Sequence, residues 1–159
     1  GVVLDDTYKE YVFTFNNIHT SGNDIQFLMQ GNASGGSGYN ETITSTYFRA
    51  YHNEADSAAV LSYEAGQDLA QSTNFHTLTD SLGNDNDQAM SGSMTLYNPS
   101  STVFVKHFMS NTNNAHQGNF TLNVFTAGYF NTTTAIDEIQ FKTDSGNFDS
   151  GDICLYGIA

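Results

Sequence analysis

The chain has 159 residues, 38% hydrophobic and 13% aromatic, with 12 Phe, 9 Tyr and no Trp; that suits one domain with a real core and excludes a disordered chain, which is poor in aromatics. Four basic residues (Lys9, Arg49, Lys106, Lys142) stand against 17 acidic ones, a formal net charge of −13. A field of that sign repels phosphate backbones and anionic membranes, so neither nucleic acid nor a membrane is expected as a partner, and no signal-peptide pattern or run of about 18 apolar residues is found.

Asn, Ser, Thr and Gly supply 64 of the 159 residues. Short strands joined by polar turns have that composition, whereas helical surfaces draw on Lys, Glu, Arg, Gln and Ala. In chain order, residues 8–17 read as the first strand, with Tyr11, Phe13 and Phe15 on one side and Val12 and Thr14 on the other. Ser21-Gly22-Asn23 marks a turn, and Asp24–Gln30 is a second strand expected to form a hairpin with the first. Residues 32–38 are a loop rich in Gly and Ser. Thr42–His52 is a third strand, and Ala55–Ala70, rich in Ala, Glu and Asp, is the one place for a short helix.

Residues 79–87 read as a polar loop. Strands then follow over Ala89–Tyr97, ended by Asn98-Pro99, and over Thr102–Ser110, Asn119–Tyr129, Ile136–Thr143 and Asp152–Ile158. About nine strands at regular spacing with at most one short helix predict an all-β chain, an antiparallel β-sandwich or barrel. The domain spans residues 1–159, with 1–7 as an N-terminal arm or a frayed end. Apolar residues on both faces of Thr102–Ser110 predict a central strand covered on each side, or one that also touches a neighbouring subunit.

Chemistry-bearing patterns are sparse. Asp85 and Asp87, spaced by Asn84 and Asn86, alternate oxygen ligands after a Gly and are the calcium candidates. They lack the sixth-position Gly and terminal Glu of an EF-hand, and acidic turns commonly just cap their own backbones. A second acidic loop runs from Asp144 to Asp152. His19, His52, His76, His107 and His116 are scattered without zinc-hydrolase spacing. No Gly-x-Ser-x-Gly elbow is present, and Ser91-Gly92-Ser93 reads as a strand or bulge. The single Cys154 lies in an apolar stretch, has no partner for an internal disulfide, and reads as a small buried hydrophobe. No cofactor is expected apart from the calcium option, and no enzymatic activity.

The ending from Asp144 to Ile158, a Ser-Gly-Asn segment, a Gly and then Leu155-Tyr156-Gly157-Ile158, resembles the close of a family of tailed-phage virion proteins common in marine and cyanobacterial phages. Ile136–Phe141 resembles the penultimate strand of that family, and Tyr11–Asn17 with the later Gly35-Gly36 and Tyr39 resembles its opening. The resemblance implies a jelly-roll-like sandwich on a virion surface, either a capsid decoration (cement) protein bound to the major capsid protein or a fibre module that grips receptor glycan. It implies a homotrimer, because capsid threefold positions and fibres share that symmetry, and it carries over no catalytic residues. Interface candidates are the aromatics Phe104, Phe108, Phe125, Tyr129 and Phe130, with ordinary core as their other reading. Under the glycan alternative, a Tyr- and Asn-lined pocket is expected near Asn32–Asn40 or Asn111–Asn119.

Overall fold

In a computed structural model that describes residues 4–159, the alternating stretches form ten strands and no helix. They are β1 (Glu10–Thr20), β2 (Ile25–Ala33), β3 (Ile43–Asn53), β4 (Ala59–Tyr63), β5 (His76–Leu82), β6 (Met90–Tyr97), β7 (Lys106–His116), β8 (Phe120–Phe130), β9 (Ile136–Thr143) and β10 (Phe148–Ile158). Every ladder is antiparallel. Seven strands run β10-β1-β6-β7-β8-β3-β4, and three run β5-β2-β9; one residue pair, Leu82 with His116, links the two sets. At that thin link the ladder folds over into two layers, so the all-β sandwich expected from composition and spacing is the fold.

The core lies between the layers. Period-two alternation sends Tyr11, Phe13 and Phe15 of β1 inward, as do Met90, Met94 and Leu96 of β6. They meet Phe27 and Met29 of β2 and the partly buried Phe141 of β9. Phe15 and Phe27 make an edge-on ring contact at 5.0 Å, and Phe141 stands edge-on to Phe13 at 5.1 Å, the geometry that the ring quadrupole favours. A smaller cluster of Tyr47, Leu122 and Val124 fills the far end.

Four expectations are corrected. β1 and β2 form no hairpin. β1 pairs with β6 and β10 while β2 pairs with β5 and β9, so the Ser21–Asp24 turn crosses between layers. A hairpin would set both aromatic stripes side by side on one face, whereas the sandwich sets them against each other. Residues 79–82 are not loop but the end of β5, where Thr79, Asp80 and Leu82 are buried, because the segment pairs with β2 and Asp80 finds partners inside the fold. Residues 55–70 hold no helix but β4, which adds to the edge of β3. The strand expected from Thr102 begins at Lys106 and runs on to His116.

Residues 1–3 of the expected arm lie outside the described residues. Leu4, also in that arm, is buried, and its N–H donates to the Asp137 carbonyl oxygen at 3.2 Å; Tyr11 Oη donates to Asp5 Oδ1 at 2.9 Å. The described part of the arm therefore packs back on its own domain.

Candidate binding face

The outward side of the seven-stranded sheet follows from the same alternation. β3 presents Thr44, Thr46, Phe48, Ala50 and His52; β8 presents Tyr129, Ala127, Phe125, Asn123 and Thr121; β7 presents His107, Met109, Asn111, Asn113 and Ala115; β6 presents Tyr97, Thr95, Ser93 and Ser91. None of these is Asp, Glu, Lys or Arg, in a chain with 17 acidic residues. The carboxylates sit in loops, on the flanking strands β1 (Glu10), β9 (Asp137, Glu138) and β10 (Asp149, Asp152) and, for Asp80, inside.

One half of this face is amide. Asn123 Nδ2 donates to Asn111 Oδ1 at 2.6 Å and to the Thr112 carbonyl oxygen at 2.8 Å. Asn113 Nδ2 donates to Thr121 Oγ1 at 2.8 Å and to the Leu122 carbonyl oxygen at 3.2 Å. These cross-strand bonds hold the amides flat along the sheet. The other half is aromatic and thioether. Phe48 and Phe125 stack at 5.2 Å with an interplanar angle of 10°, and His107 stands edge-on to Tyr129.

Beside them runs a groove of about 420 Å³ between Tyr97, His107, Met109, Ala127, Tyr129 and Thr46. Its floor is the backbone of Gly128, where a Cβ would come within 2.6 Å of the Thr44 carbonyl oxygen and 2.7 Å of Phe108 Cζ. A side chain there would point inward against Phe108 and Ser45, so only glycine lets β8 lie this close to both neighbours.

A knuckle rises at the end of the groove. Ser101 Oγ accepts the N–H groups of Val103 at 3.2 Å and Phe104 at 3.1 Å. Lys106 is fully buried, and its Nζ donates to the carbonyl oxygens of Phe104 at 2.9 Å and Thr132 at 3.1 Å. Burial pushes its ammonium below the ordinary lysine range. Anchored this way, Val103 and Phe104 are each 68% exposed.

Of the aromatic interface candidates, Phe104 forms the knuckle, Phe125 half of the stacked pair, and Tyr129 a wall of the groove. Phe108 and Phe130 are corrected to core. They point inward, have no accessible surface, and lie 5.7 Å apart, ring to ring. Thr102–Val105 forms no strand, so the two-sided apolar pattern read there reports the knuckle.

Asp85 and Asp87 sit exposed on the β5–β6 loop. The Asp85 carbonyl oxygen accepts the Gln88 N–H at 2.8 Å and lies 3.2 Å from His19 Nε2, while Asp149 of the second acidic loop lies 3.2 Å from His19 Nδ1. Among the described residues no three His, Cys, Asp or Glu side chains converge as a metal set. Of the two places expected for a Tyr- and Asn-lined pocket, the Asn111–Asn119 stretch does border a pocket of about 420 Å³, lined by Asn53, Asn113, Asn114 and Phe120 and with no Tyr; the aromatic groove opens elsewhere on the face.

The sequence reading missed a polar network beneath the face. Arg49 Nη1 donates to Asp80 Oδ2 at 2.9 Å and its Nε to Glu64 Oε1 at 3.1 Å. Tyr47 Oη donates to Asp80 Oδ1 at 3.0 Å, and Asn114 Nδ2 to the Asp80 carbonyl oxygen at 2.9 Å. Burial, then the Asp80 charge, raises the Tyr47 phenol far above its ordinary range. The Ser62 hydroxyl, then the Arg49 charge, holds the Glu64 carboxyl below the usual range. The one available signal was Arg49 itself, a lone arginine on an otherwise neutral strand.

Ser45 and His76 also meet, Oγ to Nδ1 at 3.2 Å, and Ser45 Oγ accepts the Leu69 N–H at 3.0 Å. His76 has no accessible surface, and burial pushes its imidazole down to about 3. No substrate reaches that ring, so the pair is packing.

Compared with known protein families, curated proteins and solved structures, the chain matches none.

Proposed function

We propose that this protein is a virion structural component, a capsid decoration protein that attaches to the major capsid protein and performs no catalysis. The observation that carries the reading is the uncharged outer face of β3, β6, β7 and β8 on a molecule of net charge −13. Folding alone gives no reason to clear carboxylates from one face, and desolvating a carboxylate at an interface is costly, so a face that must lose its water is best built without them. The rigid aromatic anchors Phe104, Phe125 and Tyr129 supply buried area at low entropic cost, the usual make-up of an interface centre. The likeness of the Asp144–Ile158 ending to phage virion proteins points to the same use. Binding only the assembled lattice stabilises it by mass action. The acidic rim set against a basic capsid patch makes attachment fall with added salt.

The test is binding to capsid shells lacking a decoration protein. Saturable binding that raises the shell's disassembly temperature, lost in Met109→Glu and Phe125→Glu variants, supports the reading. Absence of binding to such shells overturns it. A second reading, a fibre module that grips glycan, is favoured by one feature, the Tyr97, Tyr129 and Thr44 side chains around the groove. Tyrosine faces stack on sugars and hydroxyls bond them, so a positive glycan array abolished by Tyr129→Ala would favour it.

A further inference from the structure

Strand β10 is an edge. It pairs with β1 on one side only and has no partner on the other among the described residues. Natural sheets blunt such edges with bulges, charges, lysine or proline. Here those devices are confined to the first half of the strand. Asp149 and Asp152 lie there, and so does a register break between Asn16 and His19, opposite Gly151 at φ 110°. A Cβ on Gly151 would come within 2.5 Å of the Asn17 carbonyl oxygen, so the bulge depends on that glycine. The second half, Ile153-Cys154-Leu155-Tyr156-Gly157-Ile158, is regular, uncharged and apolar. Ile153, Tyr156 and Ile158 are exposed. Alongside it opens an apolar hollow of about 200 Å³ between Ile153, Leu155, Ile139, Phe141, Phe13 and Leu4.

We propose that Ile153–Ile158 is a self-association edge, paired antiparallel with the same segment of a second copy about a two-fold axis. One observation selects a second copy as the occupant, and two more set the geometry. Two molecules of charge −13 repel each other, so they approach most easily where carboxylates are missing. The direction of the strands selects the symmetry. Each neighbour in the order β10-β1-β6-β7-β8-β3-β4 is antiparallel, so the two edge strands β10 and β4 run the same way. A closed ring about an axis along the strands joins β10 to the next copy's β4 in parallel, whereas a two-fold joins β10 to β10 antiparallel, the more stable ladder. Register is the third. The outer faces of the two sheets continue only if opposed residues face the same way, and centring the axis on Leu155 achieves this. Cys154 then meets Tyr156, Ile153 meets Gly157, and the two Asp152 carboxylates lie at opposite ends of the paired segment. The pairing leaves the outer face of β3, β7 and β8 free, and it stands whichever surface the protein attaches to.

The experiment is sedimentation of the full chain over a range of concentrations, with hydrogen exchange read by peptide. The expected mass at high concentration is twice 17.3 kDa, with protection of the residue 153–158 amides that grows with concentration. The double variant Ile153→Glu/Tyr156→Glu, at two exposed positions, should sediment as a monomer with an unchanged circular dichroism spectrum. The wild-type exchange result stands by itself if that variant fails to fold. A monomer at every concentration overturns the proposal. So does a threefold mass with protection shared between β10 and β4, or a dimer whose β10 amides exchange as freely as those of the monomer.

Discussion

Arg49 reaches through the interior and sets its Nη1 2.9 Å from Asp80 Oδ2, joining β3 of the large sheet to β5 of the small one. Asp80 also accepts the Tyr47 hydroxyl, so one carboxylate completes two partners. Removing it leaves Arg49 with Glu64 alone and strands the Tyr47 phenol. Asp80→Ala is expected to cost about 1–3 kcal/mol, the range for a buried donor left without its acceptor. The double variant Arg49→Met/Asp80→Leu removes both charges of the pair, leaves Glu64 with the Ser62 hydroxyl as its partner, and should recover part of that loss. Urea unfolding of the wild type and the two variants measures both. Equal losses in the single and double variants would show that the pair itself carries the stability.

The buried imidazole of His76 predicts acid lability. Unfolded, it binds a proton below about pH 6.5; folded, it stays neutral down to about pH 3. Between those values the unfolded chain holds the extra proton, so stability falls as pH falls, by roughly 1.4 kcal/mol per pH unit. Above pH 6.5 this group contributes no slope. Glu64, held low by Ser62 and Arg49, adds a loss of the same sign at lower pH. The His76 share is the slope that disappears in His76→Gln when urea midpoints are compared across the acid range.

Lys106→Met keeps the length of the side chain but removes the donors to the Phe104 and Thr132 carbonyl oxygens. A loss of about 1–3 kcal/mol is expected for acceptors left without their partner. The more specific sign is local. Amides of residues 101–105 should exchange faster while those of β1 and β6 hold their protection. Uniform loss of protection would assign Lys106 to global stability rather than to the knuckle.

Gly128→Val, on the strand that floors the outer face, forces a side chain inward against the Thr44 carbonyl oxygen and Phe108 Cζ. Overpacking of this kind costs roughly 1–3 kcal/mol, read as a lowered melting temperature. Thr46→Val, at an exposed position on the same face, should leave the melting temperature unchanged.

Much of the architecture was legible because most strands obey one rule. In β1, β6 and β8 the inward residues recur at every second position, and their inward sets follow from that spacing. β5 was not legible, because His76-Thr77-Leu78-Thr79-Asp80 has a loop's composition and becomes strand only through partners far away in sequence. Thr112 Oγ1 donates to the Leu78 carbonyl oxygen at 3.0 Å and Asn114 reaches that of Asp80. A polar interior of this kind leaves no hydrophobic period to read. The binding face was half legible. Phe104, Phe125 and Tyr129 stood out as aromatics in excess, but the missing carboxylates became visible only once four strands lay side by side. Phe108 and Phe130 carried the same signal and went inward, because alternation separates the two sides of a strand but not which side faces the core, and that is decided by elements far away in sequence.

The ladder between β1 and β10 places Glu10 opposite Ile158, nearly the whole chain apart. Loop closure over that span comes before the contacts that reward it, so this topology has a high contact order and is expected to fold slowly. A nascent chain emerging from the ribosome carries Phe13 and Phe15 long before the strand that flanks them exists, and until then β1 is itself an open edge. The interval between synthesis of the first and last strands is therefore the period when this protein is most prone to pair with the wrong neighbour.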